Sequence, residues 1–126
     1  MKGNLLIIDD EKNLTDILKQ ILSKYADNVF VTNTGAAGLR IIAEEEIHCV
    51  ICDIFMPELT GIQVIQNVRE SGNLVPFIFF TAHGVEELEM EVSAFDRTLF
   101  LVKPDISGIV QIIDKMLKLG FENSPV

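Results

Sequence analysis

Short, wholly apolar runs alternate along the chain with longer stretches whose apolar residues return at helical spacing. The runs are Leu5–Ile8, Val29–Val31, Cys49–Cys52, Phe77–Phe80 and Leu99–Val102. After the first, Leu14, Ile17, Leu18, Ile21 and Leu22 follow the i, i+3, i+4, i+7, i+8 rule of one helix face, with Asn13 as the expected N-cap. A second helix after Thr34 turns Leu39 and Ile42 inward. A third begins near Gly61 and buries Ile62, Ile65 and Val68. The fourth carries Val85, Leu88, Val92 and Phe95 on one face, and the fifth carries Ile109, Ile112, Ile113, Met116 and Leu117 with a stop at Gly120. Strands alternating with helices predict an α/β fold, a doubly wound parallel sheet with helices on both faces. The weak second run reads as an edge strand. The other four are apolar throughout, as strands covered on both faces are.

The chain has 126 residues, the size of one domain, with 1–120 as the body and 121–126 as a short C-terminal tail. Hydrophobic residues make up 48% of it, enough for a sizeable core. The net charge of −9 opposes contact with phosphate backbones and anionic lipid, so neither direct nucleic-acid binding nor membrane association is expected. No apolar run approaches the ~20 residues that span a bilayer, and Asp9 and Asp10 interrupt the place of a secretory signal, which predicts a cytoplasmic protein. Cys49 and Cys52 share a C-x-x-C spacing, but within a strand they point to opposite faces ~10 Å apart. They read as buried small hydrophobes, not as a disulfide or a zinc site.

A polar residue follows each of four runs at once: Asp9 and Asp10, then Asp53, Thr81 and Lys103. In a parallel sheet all C-terminal strand ends share one edge, where open α/β proteins place their ligands. One Asp or Thr ending a strand is ordinarily a solvated loop residue, but five such residues at one edge form a site. Three carboxylates beside one ammonium call for a cation, and an all-oxygen set suits Mg²⁺ or Mn²⁺. A carboxylate next to such a metal, with a hydroxyl and an ammonium near it, is equipped to form an aspartyl phosphate.

Asp9-Asp10, Asp53, Thr81-Ala82 and Lys103-Pro104, with Met56-Pro57, Gly61 and the aromatic Phe100, make the chain resemble the receiver domains of two-component response regulators. The resemblance covers essentially the whole chain. It implies a five-stranded sheet of order 2-1-3-4-5 with five flanking helices, and a phosphorylation-controlled switch. Asp53 would be the phosphorylated nucleophile, taking its phosphoryl group from a sensor histidine kinase or phosphotransfer protein. Asp10 and Asp53 would bind Mg²⁺ directly, Asp9 through water, and the Phe55 carbonyl would complete the protein's share. Lys103 would pair with the phosphoryl oxygens, and Thr81 would move to bond them while Phe100 turns into the space left. The domain would be no enzyme beyond its own phosphorylation and dephosphorylation. Its output would go to a protein target, with a homodimer through the fourth helix, fifth strand and fifth helix as a further possibility. Without an output domain in view, the chain either binds another protein or is the receiver portion of a longer regulator or hybrid kinase.

Two rivals share the architecture. A flavodoxin-like FMN-binding domain needs hydroxyls and amides after the first strand, where this chain has Asp9-Asp10-Glu11. An Mg²⁺-dependent phosphatase with an Asp nucleophile needs an acid two residues further on, where this chain has Phe55. Phe55 and His83 lie two residues beyond Asp53 and Thr81, positions that flank the path of the hydrolytic water in the resembled family, and a ring at 55 is expected to slow loss of the phosphoryl group. Glu86, Glu87, Glu89, Glu91 and Asp96 make the fourth helix region acidic throughout, which marks it as self-repelling and as a candidate contact for a basic partner. Asp96-Arg97 replaces the Gly-Ala usual there in the family, so that corner is expected to differ in shape.

Overall fold

The computed structural model describes residues 1–123. Five strands, β1 (Asn4–Ile8), β2 (Asn28–Thr32), β3 (Cys49–Cys52), β4 (Phe77–Thr81) and β5 (Thr98–Val102), form one sheet of order β2-β1-β3-β4-β5. All four neighbouring pairs are parallel. Five helices connect them: α1 (Lys12–Leu22), α2 (Gly35–Glu44), α3 (Gly61–Glu70), α4 (Glu86–Ser93) and α5 (Ile106–Gly120).

Strand alternation divides the core into two layers. Leu6, Ile8, Val50, Cys52, Phe77 and Phe79 face α2, α3 and α4, while Leu5, Ile7, Cys49, Ile51, Ile78 and Phe80 face α1 and α5. Cys49 and Cys52 are buried free thiols in opposite layers, as their spacing required. Burial pushes both thiols well above their ordinary range, which keeps them unreactive.

Several expectations for single elements are corrected. The first helix begins at Lys12 with Glu11, not Asn13, as N-cap, because Thr15 N–H already donates to the Glu11 carbonyl at 3.1 Å. Ile17 is 48% exposed, since it lies about 100° around the helix from the buried Leu18. Thr15 takes the buried place and satisfies its hydroxyl on the Lys12 carbonyl. Val85 precedes α4 in an extended conformation and points outward. β5 is the second edge of the sheet, so Leu99 and Val102 are half-exposed instead of covered on both faces.

At the opposite edge of the sheet from the C-terminal strand ends, Phe121 opens a 3₁₀ turn, Phe121–Asn123, and stacks on the buried His48 ring with centroids 4.0 Å apart. The start of the segment read as a tail is therefore packed on the body. Its last three residues, 124–126, lie outside the described residues.

Candidate functional site

The residues singled out in the sequence meet at the C-terminal edge of the sheet. Asp9 follows β1 and is buried; one carboxylate oxygen accepts from Glu11 N–H at 2.9 Å and the other lies 3.0 Å from Lys103 Nζ. Asp53 follows β3 and is also buried. Its Oδ1 accepts from the Ile54 N–H at 2.7 Å and its Oδ2 from Lys103 Nζ at 3.2 Å. Asp10 is exposed, yet Asp9, Asp10 and Asp53 each present an oxygen within 4.8 Å of the others. That all-oxygen cluster, open to solvent on the Asp10 side, fits a hard divalent cation that keeps some of its waters.

Local sequence explains the placement. Thr60 and Gln63 form a capping box that fixes the start of α3. Gly61 N–H then donates to the Ile54 carbonyl at 2.9 Å, and a Cβ at Gly61 would run into the Asp53 carbonyl. Only glycine lets the loop fold back so tightly behind Asp53. On the far side, Lys103 N–H donates to the Thr81 carbonyl at 2.7 Å, and the Lys103–Pro104 peptide is cis. The bond to Thr81 holds Lys103 at the edge of the sheet, where its side chain reaches Asp9 and Asp53.

The electrostatics are those of excess negative charge in a half-dry crevice. Burial raises the Asp9 carboxyl above its ordinary value; the Glu11 N–H and Lys103 pull it down, and the Asp53 charge pushes it up again. Burial alone would lower the Lys103 ammonium, but its hydrogen bond to Asp9, the charges of Asp9 and Asp53, and Glu11 override that and hold it above its ordinary value. Lys103 is therefore a fixed cation.

Thr81 ends β4 fully buried, and its hydroxyl accepts a long bond of 3.5 Å from His83 N–H. Phe100 lies opposite Phe79 in the register of β4 and β5 and packs, half-buried, on the layer under α4. Phe55 is 52% exposed and meets His83 edge-on, ring centroids 5.1 Å apart, so the two loops that follow Asp53 and Thr81 touch through these side chains. Glu11, to which the sequence pattern assigns no place in the site, is a third anion on Lys103 at 3.1 Å. Its only signal was the unbroken run of three acids.

Residues 5–114 match the response regulator receiver domain family. The chain belongs to that family. Among its relatives, the transcriptional regulatory protein GlrR of Escherichia coli (strain K12) is 32% identical over 119 residues, covering 92% of this chain and 26% of GlrR. The transcriptional regulatory protein SrrA of Staphylococcus aureus (strain NCTC 8325 / PS 47) is 30% identical over 104 residues, covering 82% of this chain and 43% of SrrA. The chain thus spans between a quarter and a half of these relatives. The receiver domain of the Francisella response regulator 1452 superposes with a TM-score of 0.84 at 22% identity, over 92% of this chain and 97% of that one. The Vibrio cholerae chemotaxis protein CheY4 gives 0.83 at 21% identity, over 92% and 99%. These structures establish the receiver fold. A receiver is a signalling domain of two-component systems, and the flavodoxin-like and phosphatase readings are not favoured. Among the described residues no helix is long and apolar enough to cross a membrane.

Proposed function

We propose that this receiver is switched by phosphorylation of Asp53, with the phosphoryl group drawn from the phosphohistidine of a sensor kinase or phosphotransfer protein in an Mg²⁺-dependent reaction. The observation that carries the reading is the position of Lys103 Nζ, 3.2 Å from Asp53 Oδ2, beside three carboxylates within ligand distance of one another. Asp10 and Asp53 would hold Mg²⁺ or Mn²⁺ directly and Asp9 through water, with the Phe55 carbonyl as a further ligand. Bound there, the metal would neutralise phosphoryl oxygens and let them approach an acidic edge.

Asp53 attacks phosphorus through a carboxylate oxygen as the P–N bond of the donor breaks. Lys103 pairs with the phosphoryl oxygens. The Thr81 hydroxyl, held at present by one long bond, turns to them, and Phe100 follows into the space it leaves. Dephosphorylation belongs to the domain itself and is slow.

The output goes to a protein. Val85, Met90, Leu99 and Val102 leave an apolar surface along α4, its preceding residue and β5, and Glu86 and Glu89 border it with negative charge. The same charges oppose a symmetric dimer through this face and favour a basic partner. The relatives' names point to gene control as the downstream event, while a charge of −9 keeps these residues themselves off nucleic acid. We assign the domain to the cytoplasm, where its kinase donors act.

Incubation with Mg²⁺ and a small acyl phosphate, followed by intact mass, tests the reading. One added phosphoryl group is expected in the wild type and none in Asp53→Ala. A wild type that gains no mass, or a variant that gains the same mass, would refute it.

A further inference from the structure

All three donors of the Lys103 ammonium are engaged. Its Nζ stands 3.0 Å from Asp9, 3.1 Å from Glu11 and 3.2 Å from Asp53, and an ammonium has three N–H bonds to give. A phosphoryl group on Asp53 removes that carboxylate's charge and frees one N–H for a phosphoryl oxygen; for Lys103 to give the phosphoryl group a second N–H, Asp9 or Glu11 has to be released as well. The Asp9 and Asp53 side chains are 3% and 8% exposed, whereas that of Glu11 is 58% exposed. Water can take over the Glu11 carboxylate at little cost, and cannot do so for the two buried ones.

Among the described residues, no other hydrogen bond or ion pair engages the Glu11 carboxylate. Glu11 is the N-cap of α1, yet its carboxylate makes no capping bond, and the helix is started by its backbone carbonyl, which accepts from Thr15 N–H. The contact with Lys103 instead ties the start of α1 to the end of β5, 92 residues away in the chain.

We propose that Glu11 is a positioning residue that holds Lys103 in its resting place, and that a phosphoryl group on Asp53 takes over the N–H bond Glu11 gives up. The inference rests on the phospho-acceptor reading above. Glu11 then weights the equilibrium toward the resting state, since activation has to break this tie before Lys103 can serve the phosphoryl oxygens.

The test is a titration of the chain with beryllofluoride, a stable phosphoryl analogue, at saturating Mg²⁺, with occupancy read from the ¹⁹F resonances of the bound fluorides. Glu11→Gln keeps the shape and removes the charge. Glu58→Gln removes an equal charge from the loop after β3 at the same edge, where Glu58 forms no ion pair with Lys103. Glu11→Gln is expected to bind about two- to fivefold more tightly, the range for a half-exposed ion pair; Glu58→Gln should bind as the wild type does. Equal affinity of Glu11→Gln and wild type overturns the proposal. So does an equal gain in both variants, because the effect is then a general field and not the tie to Lys103. A wild type that takes up no beryllofluoride is a different failure: it overturns the phospho-acceptor reading, and this inference falls with it.

Discussion

Phe55 stands half-exposed in the loop after Asp53, the proposed acceptor, with its ring edge against His83, and it offers a hydrolytic water no hydrogen bond. A water attacking an aspartyl phosphate needs an in-line approach and a group to orient it, and an apolar ring supplies neither. Replacing Phe55 with Asn opens the approach and adds an amide. Phosphoryl loss from Asp53, timed by intact mass after removal of the donor, is expected to quicken roughly fivefold, the equivalent of one hydrogen bond of ~1 kcal/mol. Unchanged or slower loss would show that Phe55 only packs against His83. His48 makes the complementary point about legibility. It sits at the distant edge of the sheet, accepting from Asn4 N–H through Nδ1 at 2.8 Å and stacking on Phe121. A single His before an apolar strand gives no sign of such a role, because its partners are 44 and 73 residues away in sequence.

At the scale of elements, α4 is short and carries Glu86, Glu87 and Glu89 in its first turn with no basic residue in its last. The first-turn acids suit the positive end of the helix, but Glu87 and Glu91 repel each other one turn apart. Glu91→Lys converts that repulsion into an i, i+4 pair of the favourable polarity and puts a cation near the C-terminal end. We expect about 0.5–1 kcal/mol of added stability, visible as a higher urea midpoint with an unchanged slope. A midpoint that stays put would mean that α4 frays independently of the body. Periodicity located all five helices and five strands, and strand alternation placed Cys49 and Cys52 in separate layers. What periodicity could not see was lateral position in the sheet. Leu99 and Val102 read like any covered strand, yet β5 is an edge, and only long-range pairing decides which strands are edges. Likewise Ile17 belongs to an apolar stripe that is wider than the surface α1 covers.

Across the whole molecule, the site was legible because a parallel sheet converts separate strand ends into one edge, so that Asp9, Asp10, Asp53 and Lys103, far apart in sequence, needed only the topology to meet. Glu11 stayed hidden because its role depends on how far one lysine reaches, which no spacing encodes. Gathering this charge has a cost to folding that can be measured. The folded state holds the Asp9 carboxyl above its ordinary value near 3.8, chiefly through burial. A raised carboxyl favours the protonated form, so its contribution to stability is fully present below the unfolded value and is lost as pH rises through the folded one. At neutral pH, ionised Asp9 therefore weakens the metal-free fold. Asp9→Asn should melt higher than the wild type at pH 7 without metal, and the advantage should vanish below pH 3.8, where the wild-type residue is protonated in both states. Added Mg²⁺ is expected to reverse the order. A ligand at 100 times its Kd stabilises by about 2.7 kcal/mol, so the wild type should gain several degrees in Tm at saturating Mg²⁺, while Asp9→Asn, short of one carboxylate, gains less. If both proteins respond to Mg²⁺ alike, Asp9 takes no part in holding the ion, and the burial of its charge has to be explained by Lys103 alone.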